Sequence, residues 1–499
     1  MASEINRRDF VKTAAVATGV STFVQDPLVT KPVIGIQIGS ISFLDEGVEK
    51  VLDTLQEKAS VNALFIASFT YGRGIAGRQL RGFPFPDHGK QEYDDNFHGG
   101  NFATPHPQFY KDTVLKDTRA PDHGNVDILD LVIPAAKKRG IKTYCWSEDV
   151  WRPDVPNVEK CQEVDFSGKK ARTLCFNNPD YHNFLLGLQE DFTRSYDIDG
   201  IMWGSERYGA FCNSFESIHH AKGNDPARAT CFCPFCQEKA KKRGIRVDRA
   251  MDGFRTLDTW VRRSRAGERP SDGYWVSFWR IMFRYPEILA WESMWNDSVH
   301  ETYAAIYKTV KSAKPETQVG WHVWHAHSFS PFFRAQTDLQ ELSKYSDYLK
   351  MTVYHNAIGG PRLAIYMDTV GDTIFRDMPK DLALQFEYHV MNYWGGNTMD
   401  QIYHSSLPPD YVYRETRRSV EGVAGTKTEI WPGIDVDIPS SDIPPEAHYM
   451  KCTPQGTKDV TLASFHAGGK GLVISRKYSE MTLANLAGVG DAIRELKLT

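Results

Sequence analysis

Cys231, Cys233 and Cys236 place three thiols within six residues, and Cys212 lies upstream of them. A C-x-C-x2-C spacing with one remote cysteine suits a closed tetrahedral zinc site, in which every ligand is protein and no position is left for a reactive water. We therefore expect a structural zinc on Cys212, Cys231, Cys233 and Cys236. Disulfides are the competing expectation for an exported chain, although thiols this close in sequence pair poorly with one another. The other residues able to do chemistry stand at the ends of short apolar runs. These are Glu148 and Asp149, Glu206, His322 and His325, Tyr354, Asp435 and Asp437, and Arg476, Tyr478 and Glu480. Cleavage of a glycosidic bond needs two flanking carboxylates, one as acid and the other as nucleophile or base. Glu206 and Asp435 are the expected pair, with Glu206 as proton donor. Asp437, which alternates with Asp435, shares its face if the strand persists. Glu148, Asp149, Trp203, His322, His325, Tyr354, Asp437, Arg476, Tyr478 and Glu480 are expected to line the pocket and hold polar substrate groups.

Those residues need a scaffold that delivers strand ends to one rim. Apolar runs of strand length recur at Val33 to Ile38, Val61 to Phe69, Ile141 to Trp146, Asp199 to Glu206, Val319 to Trp324, Tyr348 to Tyr354, Thr428 to Val436 and Gly471 to Ser475. Their continuous apolarity is that of strands buried on both faces of a parallel sheet. Helical spacing separates them, as in Val48, Val51, Leu52 and Leu55, or Ile128, Leu129, Val132, Ile133 and Ala136 before Gly140. Asn178-Pro179 has the cap and first-turn chemistry of another helix start. Eight strands alternating with helices predict an α/β fold, a (β/α)8 TIM barrel. Long insertions at about 71–125, 207–296 and 355–409 all follow strand C-termini, where such barrels build their sites. The first strand runs into Gly39-Ser40-Ile41-Ser42 rather than the Gly-rich phosphate turn of a doubly wound sheet, and no G-x-S-x-G or P-loop sequence is present. Glu206 and Asp435, on strands four and seven, would face each other across the barrel.

A net charge of −4 carries no basic field for nucleic acid. Twelve Trp and 22 Tyr supply flat faces of the kind that sugar rings stack on. Residues 1–30 are a separate segment, in which Asn6-Arg7-Arg8-Asp9-Phe10-Val11-Lys12 resembles a twin-arginine export signal. The apolar stretch behind it, Thr13 to Val24, is too short to anchor the chain in a membrane. The expectation is delivery by the twin-arginine export machinery to the periplasm or the outside, with no transmembrane segment in the mature chain and with the barrel and its insertions filling residues 31–499. The sequence leaves the oligomeric state open.

The segment FNNPDYHNFLLGLQEDFTRSYDIDGIMWGSE, the CFCPFC cluster after it and the twin-arginine start together resemble exported glycoside hydrolase barrels of the β-galactosidase and hypothetical-glycosidase type, and around the cysteine cluster the family-42 β-galactosidases. The resemblance implies a barrel Glu at the end of strand four as acid/base, matched by Glu206, and a C-x-C-x2-C zinc cluster, matched by Cys231, Cys233 and Cys236. It also implies an oligo- or polysaccharide substrate. The chain departs from that pattern at Ser205-Glu206, where the family has Asn-Glu, and at Asp435 and Asp437, where the clan has a Glu nucleophile. Two other functions fit the same rim. One is a carbohydrate-binding barrel without catalysis; the other is a metal-dependent sugar epimerase or lyase using the rim histidines and acids.

Overall fold

The computed structural model describes residues 31–70, 77–79, 81–149, 154–215, 229–356, 358–393, 395–438 and 452–498. The twin-arginine segment lies outside the described residues. Eight parallel strands close on themselves: β1 (Val33–Ile38), β2 (Ala63–Thr70), β3 (Lys142–Glu148), β4 (Gly200–Gly204), β5 (Gln318–Val323), β6 (Tyr348–Thr352), β7 (Glu429–Asp435) and β8 (Gly471–Ser475). Each pairs with the next in sequence, and Val33 of β1 pairs with Gly471 of β8 to shut the ring. This is the expected (β/α)8 barrel, and β1 and β8 have the bounds read from the sequence.

The crossover helices follow from the pattern of apolar residues. Helix α1 (Val48–Ala59) buries Val51, Leu52 and Leu55, and α2 (Ile128–Lys138) buries the five apolar residues expected of it. Gly140 follows α2 at φ 68°, a left-handed conformation that suits glycine at a helix end. Asn178 caps α3 (Pro179–Ser195) by accepting from the N–H groups of Asp180 and Tyr181, with Pro179 in the first turn.

The excursions sit on the C-terminal rim, with two differences from expectation. The segment after β3 carries its own hairpin, Gln162–Val164 against Lys170–Leu174. In the second insertion, which holds α4 (Pro234–Lys242), the return helix α5 (Glu287–Ala313) begins well before Asn296. Isoleucine and tryptophan at Ile288 and Trp291 bury against the insertion itself, so the sequence pattern merges the two. Among the described residues no helix is long and apolar enough to cross a membrane.

Inside the barrel, side chains of alternate residues form a floor. Phe65 stacks on Tyr144 at 4.7 Å between ring centroids and Tyr348 on Trp431 at 3.8 Å, and the two pairs meet edge to face. Glycines on neighbouring strands leave room for these rings. A Cβ at Gly320 would stand 2.1 Å from the Tyr348 ring, and one at Gly200 2.5 Å from that of Tyr144. The plug is apolar and close-packed, so the polar residues one layer above it rest on a poorly polarisable base.

Candidate active site and cysteine centre

Period-2 alternation along the strands decides which rim residues face inward. On β3, Tyr144 and Trp146 fill the floor, so Glu148 comes next on the same face; on β6, Tyr348 fills it and Lys350 follows. Glu206 is two residues past the end of β4. His322 on β5, against which Gly204 packs closely, stands between them and β6.

These side chains form a hydrogen-bonded line. His322 Nε2 lies 2.8 Å from Glu206 Oε1, and His322 Nδ1 lies 3.1 Å from Lys350 Nζ. Lys350 also donates to Tyr354 Oη at 3.0 Å. The His322 side chain is 2% exposed and that of Glu206 24%, so the line runs from the buried floor out to an accessible carboxylate. Burial pulls the Lys350 ammonium down to about 7, against the opposing pull of Glu206 and Glu148.

Glu148 is the counterpart. Its Oε1 accepts from Trp146 Nε1 at 3.0 Å, while Oε2 is buried without a hydrogen-bond partner among the described residues. Burial first, and then the nearby Glu206 charge, push its carboxyl up to about 8, with Arg476 and Lys350 pulling the other way. Two neighbouring carboxylates thus occupy unlike environments, one enclosed and one reached by solvent. Burial therefore favours the protonated form of Glu148, and among the described residues its Oε2 meets no hydrogen-bond acceptor.

Asp435 has a different position. It is fully buried and accepts from the backbone N–H of His355 at 2.8 Å and of Asn356 at 3.0 Å, with His355 Nδ1 2.5 Å away. Burial raises its affinity for a proton, but the His355 ring and these donors outweigh it and hold Asp435 below the ordinary carboxylate range. Its lone pairs are spent on the β6 exit.

Asp437, at φ 55°, ties three segments together. It accepts from Cys452 N, from Thr482 N and Oγ1, and from Asn485 Nδ2, all at 2.9 to 3.0 Å. Asp149 faces outward from β3, where it accepts from Tyr181 Oη at 2.6 Å and Arg207 Nε at 2.8 Å. Trp203 also points outward, edge-on to Tyr303 at 5.1 Å between centroids. Tyr478 is buried under the first insertion, stacked on His88 at 4.2 Å. His325 is buried beside Trp324 and Tyr354. Arg476 pairs with Glu480 at 2.8 Å and is near enough to Glu148 to lower its proton affinity. Of the expected rim residues, the structure therefore gathers Glu148, Glu206, His322, Tyr354 and Arg476. It adds Lys350, a charged residue in an otherwise apolar strand at an inward position, and that oddity was visible in the sequence.

The cysteine centre forms with a different fourth member. The sulfurs of Cys175, Cys231, Cys233 and Cys236 are buried and all lie within 4.8 Å of one another. Cys175 Sγ is 3.4 Å from that of Cys236 and 3.5 Å from that of Cys233, well beyond a bonded pair. Four thiolates on one zinc at 2.3 Å stand about 3.8 Å apart, so the set fits a tetrahedral ion. Amide donors support thiolate charge here: Val164 N and Cys233 N reach Cys231 Sγ at 3.4 Å, and Asn177 Nδ2 reaches Cys236 Sγ at 3.3 Å. Cys212 is elsewhere, on the short helix Ala210–Phe215, where its Sγ accepts from Gln336 Nε2. Cys175 ends the hairpin after β3, so the centre fastens that hairpin to α4. Among the described residues, no other group of His, Cys, Asp and Glu gathers to hold an ion.

No family model matches the chain, and no curated protein matches it. Solved structures do. A β-galactosidase from the Antarctic haloarchaeon Halorubrum lacusprofundi superposes with a TM-score of 0.50 at 13% identity, covering 93% of this chain and 58% of that one. The α-L-fucosidase isoenzyme 2 of Paenibacillus thiaminolyticus gives 0.48 at 11% identity, covering 93% and 49%. A GH42 β-galactosidase from G. stearothermophilus gives 0.48 at 10%, covering 94% and 57%. The chain spans about half to three-fifths of these proteins' length. What it shares with the Halorubrum protein is the barrel fold.

Proposed function

We propose that the protein is a glycoside hydrolase, with Glu148 as proton donor and Glu206 as the ionised carboxylate that acts as nucleophile or base. The observation that carries this is the divergence of the two carboxyl groups. One is buried, with burial favouring its proton and its Oε2 unpartnered among the described residues; the other is accessible and bonded to an imidazole. Cleavage of an acetal needs that combination, because the leaving oxygen must gain a proton while the opposite side of the sugar is stabilised or attacked. This moves the donor from Glu206, where the sequence put it, to Glu148, and takes Asp435 out of the reaction. The barrel shared with the Halorubrum β-galactosidase supports a saccharide as the substrate class. In the cysteine centre we propose zinc, held by Cys175, Cys231, Cys233 and Cys236, whose closed ligand set gives it a structural role.

The donor assignment has a pH signature. Glu148 works only while protonated and Glu206 only while ionised, so kcat is expected to fall tenfold per unit as pH rises past about 8 and to fall again in acid once Glu206 takes up a proton. A pH–rate profile on an unactivated oligosaccharide checks this, and a profile still rising at pH 9 would remove Glu148 as donor.

We also propose export through the twin-arginine route, supported by Arg7-Arg8 and the apolar stretch behind them. Replacing both arginines by lysine is expected to leave the protein in the cytoplasmic fraction. Unchanged export of that variant would discard the signal reading.

A further inference from the structure

Lys350 is not explained by packing. Its residue is fully buried, and its stem lies in space that a side chain at residue 433 would take, since a Cβ on Gly433 would stand 2.2 Å from Lys350 Cε. A buried amine is costly unless it is paired. Its hydrogen-bond partners among the described residues are an imidazole nitrogen and a phenol oxygen rather than a carboxylate.

The ring between them has to meet two demands. Glu206 Oε1 accepts only, when ionised, so His322 Nε2 must carry a hydrogen. A neutral ring then presents a bare Nδ1, which needs a donor, and Lys350 Nζ stands 3.1 Å from it. We infer that Lys350 is a positioning residue: by donating to His322 Nδ1 it fixes the ring as the Nε2–H tautomer and so aims Glu206 into the site as a carboxylate. The amine donates in either charge state, because –NH2 still has hydrogens for both Nδ1 and Tyr354 Oη.

The groups facing the pair make the assignment consistent. Glu206 and Glu148 bear on Lys350 from β4 and β3, and Arg476 and Asp435 bear on Tyr354 from β8 and β7. The charge that Lys350 carries below about pH 7 favours an ionised Glu206, while burial favours the proton on Glu148. The effect on turnover rests on the glycosidase reading above. The state of the ring does not.

The test uses full-length protein labelled with 15N in its histidines, the His322 signals being identified by their loss in His322→Gln. Long-range 1H–15N correlation between pH 6 and 8 is expected to show His322 with hydrogen on Nε2 and a bare Nδ1. Tyr354→Phe leaves the Lys350–His322 bond in place and is expected to keep that pattern. In Lys350→Met the site loses its cation, and the ring is expected to take up a second proton opposite Glu206. On a turned-over glycoside, kcat of this variant should drop about a hundredfold with KM little changed, the scale of a displaced catalytic group. Wild-type protein with an imidazolium, or with hydrogen on Nδ1, overturns the inference. So does a Lys350→Met ring indistinguishable from wild type. Should Lys350→Met not fold, the wild-type and Tyr354→Phe spectra still decide. Should no glycoside be turned over, the functional reading falls while the ring measurement stands.

Discussion

Glu206→Gln is expected to reduce turnover by two to four orders of magnitude on every glycoside, activated or not, with substrate still bound. The loss belongs to the charge, because Gln keeps the shape and can still accept from His322 Nε2, but it cannot attack, deprotonate water or stabilise a developing oxocarbenium ion. Glu148→Gln is expected to act differently. It should cost as much on substrates with poor leaving groups and far less on aryl glycosides whose phenolate departs without protonation. The contrast separates the proposed roles, which rest on the enclosed Glu148 carboxyl, where burial favours a proton, and the partly exposed Glu206 carboxyl. Steady-state kinetics on a matched pair of aryl and alkyl glycosides reads it directly. If Glu206→Gln spares the aryl substrate and Glu148→Gln does not, the assignments are reversed. Full activity of both variants would empty the site of its chemistry.

The second large effect is expected at the cysteine centre. Protein purified without added metal should contain about one equivalent of zinc per chain, and Cys175→Ser should abolish it, because three thiolates no longer close a tetrahedron. Cys212→Ser should keep the metal, since its sulfur bonds to Gln336 instead. Loss of the ion releases the hairpin Gln162–Val164 and Lys170–Leu174 from α4, so Cys175→Ser is expected to melt several degrees lower, within the range for loss of a metal clip. Metal analysis alongside thermal melts decides it. Metal retained by Cys175→Ser, or lost from Cys212→Ser, would restore Cys212 as a ligand, and a metal-free wild type would remove the zinc altogether.

The barrel was legible because its strands are apolar throughout and are bounded by turn residues, and because one face of each crossover helix is apolar. The same property hid the orientation of the rim. Where both faces of a strand are buried, as at Met202-Trp203, hydrophobicity does not tell inside from outside. Trp203 and Asp149 were therefore assigned to the pocket and lie behind it. Cys175 was missed for another reason. Spacing finds ligands that are local in sequence, whereas Cys175 comes from the loop after a different strand and meets the others only once β3 and β4 are paired. Asp435 and Glu148 could not be told apart from their positions at strand ends. What separates them is that backbone N–H groups aim at Asp435, whereas none among the described residues reaches Glu148 Oε2.

The ring of strands is shut by its two ends. Gln37 on β1 accepts from Ser475 on β8, a pairing 438 residues apart in the chain, and the ladder between Val33 and Gly471 is equally distant. Contacts of that separation pay their loop-closure entropy last and slow the search for the native state. During synthesis β1 keeps one edge of unpaired N–H and C=O groups, and the most recently made strand exposes the other, until Gly471–Ser475 has emerged. Such edges recruit neighbouring chains. Refolding yield is therefore set by how dilute the chains are during the interval before β8 arrives, and a chain that stops short of β8 is left with two adhesive borders that no side-chain substitution in the core can seal.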